Sequence, residues 1–312
     1  MSDARRVLVV SRSRVDDGVV LTGTACQQLI EHGITPVLMA DEPAVVSAAS
    51  HAGETGLIYG VETSKIEILG RDCEVSELEL VVVLGGDGSI LKAAEVVREA
   101  NTPLLGINLG HVGFLAEGER HELEAIIARV ASKDYQVTDR LALDVTVLVA
   151  GTQVFSTWAL NEATVEKSAR ERMLEVVIEV EGHPLSSFGC DGVVMSTPTG
   201  STAYAFSAGG PVVWPSVEAL LMVPLSAHAL FARPLVVNPD SMLAVEVLKR
   251  SAGAGVLWCD GRRTYELAPG ARVEVRRSAD PVRIVRLSDS PFTNRLVNKF
   301  ALPVAGWRGP EA

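Results

Sequence analysis

The chain has 312 residues, of which 47% are hydrophobic and 21% charged, and its formal net charge is −11 at pH 7. This length is sufficient for two domains, and the composition is that of a globular protein, not a disordered one. The negative charge argues against a surface for nucleic acid or an anionic membrane, because both require a basic stripe. A local cluster of backbone N–H groups can still bind a small anion such as phosphate.

Four widely spaced cysteines without a C-x-x-C pair favour free thiols in a reducing cytoplasm. The apolar run at residues 7–10 is too short for a signal-peptide core. The most membrane-like stretch, residues 219–232, contains Pro224 and is shorter than the roughly 20 residues that a membrane span needs. We interpret it as buried core, and we expect a cytoplasmic protein with no membrane partner.

The first third of the chain alternates predicted strands with predicted helices, which indicates an open α/β sheet. Apolar runs predict the strands, and apolar residues at helical spacing predict the helices. The predicted strands are 7–10, 36–39, 78–84 and 103–107, and the predicted helices are 19–32, 89–100 and 121–132. We therefore expect an α/β, Rossmann-like nucleotide domain over residues 1–138.

From about residue 139 the hydrophobic pattern has a period of two, which is typical of half-buried strands in an antiparallel sheet. The predicted strands include 143–149, 174–180, 243–247, 256–258, 273–275 and 282–287, with another near Val193. We expect a mostly antiparallel β domain over residues 139–288. The remaining segment, residues 289–312, carries enough apolar side chains to predict that it packs against the rest of the protein.

A glycine-rich segment, Gly85-Gly86-Asp87-Gly88-Ser89, follows the predicted strand 78–84. Ligands of open α/β sheets bind at the carboxyl ends of strands, and glycines let the backbone approach a phosphate. A carboxylate repels phosphate, so Asp87 needs a role there. It could accept a proton from an attacking hydroxyl or help to hold Mg²⁺. The alternative is that it only caps the helix predicted from Ser89.

A second segment, residues 190–211, has five hydroxyl residues between Ser196 and Thr202. A short helix is predicted from Thr202 to Ser207. Hydroxyl and N–H groups that converge at its start suit the phosphate, ribose or base of a nucleotide, and Tyr204 offers an aromatic face for adenine. The alternative is a turn-rich connection whose hydroxyls bond to their own backbone.

Both segments resemble signatures of known kinases. The first is similar to the phosphate loop shared by NAD kinases, diacylglycerol and sphingosine kinases and 6-phosphofructokinases. Residues 191–204, Asp-Gly-x-x-x-Ser-Thr-Pro-Thr-Gly-Ser-Thr-Ala-Tyr, are followed by Ser-Ala-Gly-Gly-Pro and resemble the signature of NAD kinases alone. Other stretches similar to that family are 105–115, Asn161-Glu162, 228–235, 259–263 and 306–308. The resemblance covers residues 5–308 and is greatest to the actinobacterial type.

The resemblance implies that the protein transfers the terminal phosphoryl group of ATP, or of polyphosphate, to the 2′-hydroxyl of the adenosine ribose of NAD, giving NADP. Mg²⁺ or another divalent metal would arrive with the nucleotide phosphates. It further implies an NAD site between the two domains, a C-terminal segment that returns to the first domain, and a homodimer or homotetramer.

The resemblance also assigns roles to individual residues. Asp87 would accept the proton of the 2′-hydroxyl, Gly88 would lie beside the nucleotide, and Asp191 would bind the nicotinamide end. The adenosine part of NAD would contact Asn161, Glu162, Thr202, Ala203, Tyr204, Ala205, Phe206 and Ser207. Lys92 and Arg172 are at positions where the family often has a further nucleotide contact, although a solvated helix face is the alternative for Lys92.

Three side chains receive no role. Arg262 replaces a glutamine with which many relatives contact NAD, so that contact is not expected here. His111 and His228 are candidates for catalysis, but a lone histidine is more often structural, and nothing pairs either with a nucleophile. Two other functions stay open at this point. One is a lipid or sugar kinase that shares the glycine-rich loop, and the other is a non-catalytic protein that binds NAD.

Overall fold

The structure, a computed structural model, describes residues 5–11, 16–42, 45, 57–110, 113–288 and 290–304. The chain divides into two compact units: unit 1 is Met1–Asp139 with Val282–Ala312, and unit 2 is Arg140–Pro281. Unit 1 is therefore built from two separate parts of the chain. The boundary that we predict after residue 288 lies beyond this division, because Val282–Arg286 is a strand of the unit 1 sheet.

Unit 1 contains a mainly parallel eight-stranded sheet with helices. The strands of unit 1 are β1 (Arg6–Ser11), β2 (Thr35–Leu38), β3 (Leu57–Ile58), β4 (Val61–Glu62), β5 (Glu67–Ile68), β6 (Leu80–Leu84), β7 (Leu104–Asn108), β8 (Gly118–Glu119), β9 (Gln136–Arg140) and β22 (Val282–Arg286). Its helices are α1 (Asp16–Glu31), α2 (Asp87–Val97), α3 (Leu123–Ser132) and α5 (Phe292–Phe300). The sheet order is β5-β2-β1-β6-β7-β22-β9, β8 also pairs with β7, and β3 pairs only with β4.

The central strands of this sheet explain the continuous apolar runs in the sequence. Every residue of β6 and of β7 is buried, and the two strands run parallel, with Val81 opposite Leu104. Parallel neighbours end at the same edge of a sheet. The segments that follow β6 and β7 therefore lie together, and α2 begins directly after the glycine-rich turn.

Unit 2 contains two six-stranded antiparallel sheets. Its elements are β10 (Leu143–Val149), β11 (Thr152–Ala159), β12 (Glu162–Lys167), β13 (Leu174–Val180), β14 (His183–Cys190), β15 (Gly192–Ser196), α4 (Tyr204–Ser207), β16 (Leu220–Leu225), β17 (Leu235–Val237), β18 (Leu243–Val247), β19 (Gly255–Cys259), β20 (Arg263–Leu267) and β21 (Ala271–Arg277). The strand orders are β11-β10-β21-β18-β13-β14 and β17-β16-β15-β12-β19-β20. The inner faces share one apolar core, which explains the period of two.

The predicted fold class, an α/β domain followed by a mostly antiparallel β domain, is confirmed. One detail is wrong. Residues 219–232 are buried core only as far as β16, whereas Leu230 and Phe231 beyond it are exposed, because β16 is a strand of the second sheet and these residues follow its end. None of the helices in the described ranges combines the length and apolarity that a membrane crossing demands.

Candidate active site

The carboxylate of Asp87 lies at the carboxyl edge of the unit 1 sheet, on the first residue of α2. The N-cap residue is Gly86, so the helix begins two residues before the predicted Ser89, and the alternative in which Asp87 only caps it is not what the structure has. The backbone N–H of Phe114 donates to Oδ2 at 3.0 Å, and that of Leu115 donates to Oδ1 at 3.1 Å. Asp87 is thus bound by the loop that follows β7.

These two hydrogen bonds fix the orientation of the carboxylate but do not saturate it. Each oxygen receives one N–H in the described structure, and a carboxylate oxygen has room for a second donor. Gly113 is required beside it, because a Cβ at that position would collide with the Asp87 carboxylate. The side chain is half-buried, Gly88 next to it is exposed, and negative charge is favoured at the start of a helix.

Lys92 lies on the same helix as Asp87, and its side chain is exposed. Its Nζ is 3.8 Å from Oδ2 of Asp41, which is also exposed. An ion pair of this kind contributes only about 0–1 kcal/mol, so it does not prevent Lys92 from reaching a ligand. His111 lies outside the described residues.

In unit 2, the predicted Asn161-Glu162 pair lies in the buried turn that enters β12. Asp260 holds this turn, because its carboxylate accepts hydrogen bonds from the backbone N–H groups of Leu160 (2.9 Å), Asn161 (2.7 Å) and Glu162 (3.3 Å). Burial raises the pKa of Asp260, and these bonds together with Arg263, 2.8 Å away, oppose that effect. The sequence does not reveal this function of Asp260 or Arg263, since the two segments are about a hundred residues apart.

The pKa of the Glu162 carboxyl group is also strongly raised. Burial raises its pKa to about 8, the charge of Asp260 acts in the same direction, and a hydrogen bond from the backbone N–H of Tyr204 opposes both. Its Oε2 is buried and has no hydrogen-bond partner among the described residues. Since buried polar groups are normally paired, this oxygen is available to a polar group of a ligand.

The hydroxyl-rich segment joins the same region. Ser196 Oγ donates to the carbonyl of Asn161 at 3.0 Å, and Thr197 Oγ1 donates to that of Leu160 at 2.6 Å. Thr202 Oγ1 donates to a carbonyl three residues earlier. These hydroxyls therefore bond to protein backbone, as the alternative interpretation expects, and in doing so they attach the predicted adenosine segment to Asn161.

The predicted adenosine-contacting residues differ in exposure. Exposed are Tyr204 (38%), Phe206 (40%) and Ser207, half-buried are Thr202 and Ala203, and buried is Ala205. The Ala205 side chain packs against Val194 and Val223. The structure thus offers two aromatic side chains to a ligand and uses Ala205 for packing.

Asp191 is half-buried and lies just before β15. Lys167 Nζ is 2.5 Å from its Oδ1, and this contact, with a hydrogen bond from Ser226, holds the pKa of Asp191 below its usual range. The sequence does not indicate Lys167, because only the antiparallel register of β12 and β15 brings it to Asp191. Arg172 is exposed, and its Nη1 donates to the carbonyl of Ala252 at 2.6 Å. His228 is also exposed and donates its backbone N–H to Gly189.

A glycine-rich turn from a buried parallel strand into a helix, with an oriented carboxylate at the turn, defines a nucleotide-dependent phosphotransferase. The family models for the N-terminal and C-terminal domains of ATP-NAD kinase match residues 8–135 and 160–287. The chain belongs to the NAD kinase family, and it is an enzyme that phosphorylates NAD.

The relatives include actinobacterial NAD kinases, as the sequence predicts. That of Leifsonia xyli subsp. xyli is 58% identical over 311 residues, which cover 100% of this chain and 99% of the relative. NAD kinase 2 of Streptomyces coelicolor is 55% identical over 289 residues, with 90% and 96% covered.

Two solved structures have the same fold. Yeast NADH kinase complexed with NADH has a TM-score of 0.82 at 21% identity, covering 98% of this chain and 90% of that one. An NAD kinase from Archaeoglobus fulgidus in complex with ATP has a TM-score of 0.66 at 23% identity, with 95% and 98% covered.

Proposed function

We propose that this enzyme transfers the terminal phosphoryl group of ATP to the 2′-hydroxyl of the adenosine ribose of NAD, with Asp87 as the proton acceptor. The observation that carries this proposal is the orientation of the Asp87 carboxylate by two backbone N–H groups. A base held in one orientation supports general base catalysis, whose typical contribution is about 10²–10⁴-fold in rate.

The proposed step conserves all atoms. A bond forms between the 2′-oxygen and the γ-phosphorus, and the bond from that phosphorus to the β,γ-bridging oxygen breaks. ADP leaves with the electron pair of the broken bond, and the proton of the hydroxyl goes to Asp87. Little covalent chemistry is required of the protein, so most of the acceleration comes from positioning and charge neutralisation.

ATP would approach the glycine-rich turn, because the start of a helix such as α2 favours phosphate. The Archaeoglobus fulgidus relative, which was solved in complex with ATP, supports a nucleotide as donor. Lys92, one helical turn beyond Gly88, would contact a phosphate.

The divalent ion, which we propose is Mg²⁺, would enter as part of the MgATP substrate. Throughout the described residues, no group of three or more His, Cys, Asp or Glu side chains could hold a metal ion. The phosphate oxygens would therefore supply most of its ligands. Removal of the ion with EDTA should abolish turnover, and excess Mg²⁺ should restore it.

NAD would be recognised by unit 2. The unpaired Oε2 of Glu162 supports a hydrogen bond to the adenosine part, and the exposed ring of Tyr204 supports stacking on adenine. Asp191, kept anionic by Lys167, would bind the nicotinamide end. The yeast relative, which was solved with NADH, supports a dinucleotide as acceptor.

The oligomeric state and the location also stay proposals. Leu230 and Phe231 are exposed apolar side chains, which supports burial in a homodimer or homotetramer. Light scattering on the purified protein would decide between these states. A cytoplasmic location would be tested by cell fractionation.

The proposal is tested with purified protein, Mg²⁺ and each combination of NAD or NADH with ATP or polyphosphate. We expect NADP from NAD and ATP, detected with an NADP-specific dehydrogenase, and phosphorus NMR should place the new phosphate on the 2′-oxygen. A phosphate at another position would overturn the proposed acceptor. Turnover with polyphosphate alone would overturn ATP as the donor.

A further inference from the structure

The C-terminal helix α5 contacts the loop that holds Asp87. Arg295 on this helix donates from Nη1 to the carbonyl oxygens of Phe114 (2.7 Å) and Ala116 (3.0 Å). Its Nη2 forms an ion pair with Glu117. One guanidinium group thus binds three residues of a single loop, Phe114, Ala116 and Glu117.

The ion pair between Arg295 and Glu117 is buried. The side chain of Glu117 is only 1% exposed, and Arg286 lies 2.9 Å from the same oxygen that Arg295 binds. The backbone N–H of Leu287 donates to its other oxygen at 3.2 Å. A buried carboxylate is tolerated only with such partners, so Glu117 fixes the position of the Arg295 guanidinium.

Aromatic contacts hold the same loop. The ring of Phe114 packs against those of Phe292 and Phe300 on α5, with centroid separations of 5.8 and 5.9 Å. These separations lie within the range in which tilted aromatic pairs attract one another. The loop is therefore held to α5 by apolar as well as polar contacts.

A single peptide group joins Arg295 to Asp87. The carbonyl of Phe114 accepts from Arg295, and the N–H of Leu115, which belongs to the same planar peptide, donates to Oδ1 of Asp87. A cation at the carbonyl end polarises the peptide and strengthens its N–H as a donor. A change in the position of the guanidinium would rotate or weaken the group that orients the carboxylate.

We propose that Arg295 is a positioning residue for phosphoryl transfer, which acts on Asp87 through the peptide between Phe114 and Leu115. This inference rests on the proposed role of Asp87 as proton acceptor. Arg283 on β22 provides a matched control, because its guanidinium also binds a backbone carbonyl, that of Asn101, and lies beside a carboxylate, that of Asp139. Asn101 precedes β7, whereas the loop that holds Asp87 follows it.

The experiment compares Arg295→Gln, Arg283→Gln, Asp87→Asn and the double variant Arg295→Gln/Asp87→Asn, each checked for folding by thermal melting. We expect Arg295→Gln to lower kcat by about 10- to 100-fold, the range for a misplaced catalytic group. KM for NAD and for ATP should stay within about twofold, and Arg283→Gln should keep nearly the kcat of the unmodified enzyme. In the Asp87→Asn background, Arg295→Gln should lower kcat no further, because both changes remove the same function.

If Arg295→Gln does not fold, Arg295→Lys replaces it. Lysine keeps the charge beside Glu117 but cannot bind two carbonyls and a carboxylate with one planar group, so kcat should still fall with KM retained. If Arg295→Gln, or Arg295→Lys in its place, folds and has an unchanged kcat, the inference is wrong. An equal loss in Arg283→Gln, or an additive loss in the double variant, also overturns it. Full turnover by Asp87→Asn would instead refute the proposed base.

Discussion

Two carboxyl groups, one in each unit, are treated in opposite ways by the fold. Asp87 is half-buried, and each of its oxygens receives a backbone N–H from a loop that is held on its other side by α5. Glu162 is buried, its Oε2 is unpaired, and its pKa is raised to about 8. The first group is oriented and accessible, whereas the second is enclosed and incompletely paired.

The difference indicates what each group is suited to do. A proton acceptor must remain in one orientation with a lone pair free, which describes Asp87. A buried group with an unpaired atom is costly until a ligand pairs it, and this is consistent with the recognition role that we propose for Glu162. We therefore expect substitution of Asp87 to lower kcat, and substitutions at or around Glu162 to affect NAD binding.

Among the variants that test this difference between Asp87 and Glu162, Asp87→Asn should have the largest effect. We expect kcat to fall by at least about 10²-fold, because the amide cannot take up the proton, while the affinity for NAD stays nearly normal. Initial rates and calorimetry measure the two quantities. Glu99→Gln, which changes an exposed carboxylate of unit 1, serves as the control. Unchanged turnover in Asp87→Asn would remove the assigned role.

Asp260→Ala should mainly affect recognition. It leaves three backbone N–H groups without their acceptor, and each unpaired buried group costs about 1–3 kcal/mol. We expect a lower free energy of unfolding and a KM for NAD raised by about tenfold, with kcat changed much less. Asp260→Asn keeps one acceptor oxygen and should be milder. A loss confined to kcat would contradict the division of roles between the two groups.

Glu162→Gln should alter a pH dependence. The pKa of Glu162 is raised from 4.5 to about 8, so between these values the folded state keeps a proton that the unfolded state releases. Its contribution to stability is therefore complete below pH 4.5 and is lost as the pH rises through 8. Ionisation beside Asp260 should also weaken NAD binding above this pH.

The glutamine variant is uncharged at every pH, so both dependences should become flatter. Urea unfolding and KM for NAD, each measured from about pH 6 to about pH 9, test this expectation. Parallel curves for the variant and the unmodified enzyme would show that another group titrates.

The smallest effects are expected for Lys92→Ala and Arg172→Ala. Both side chains are exposed, so the free energy of unfolding should change by less than about 0.5 kcal/mol. Lys92→Ala should raise KM for ATP by about threefold, in line with the modest energy of an exposed charge contact. Arg172→Ala should leave both KM values within about twofold. A larger effect for Arg172 would show that its bond to Ala252 is exchanged for a ligand.

The sequence predicts the main elements because their signals are local. The apolar run of β6 and the alternation in β13 each reflect burial within one short stretch. The assignment of β22 to unit 1 is not local, since its partner β7 lies far away in the chain. The helix start at Asp87 is likewise decided by a distant loop, whose N–H groups occupy the carboxylate that would otherwise cap the helix.

The candidate site residues likewise divide into those with a local sequence signal and those whose partners are distant in the chain. Asp87, Asn161 and Glu162 are indicated by motifs, and their roles stay predictions. Lys167 and Arg295 carry no motif, because each acquires its function from a partner brought to it by strand register or by the return of the chain to unit 1. Such residues can be identified only from the contacts in the structure.

The discontinuity of unit 1 has a consequence for synthesis on the ribosome. Residues 282–300, which supply β22 and α5, are translated after the whole of unit 2. Nascent domains fold in the order in which they emerge during synthesis, which proceeds at roughly 5–20 residues per second. A chain that extends only to residue 281 contains all of unit 2, but it lacks Arg295 and a strand of the first sheet. If Arg295 positions Asp87 as we propose, the orientation of this carboxylate is completed only once residues 282–300 are in place.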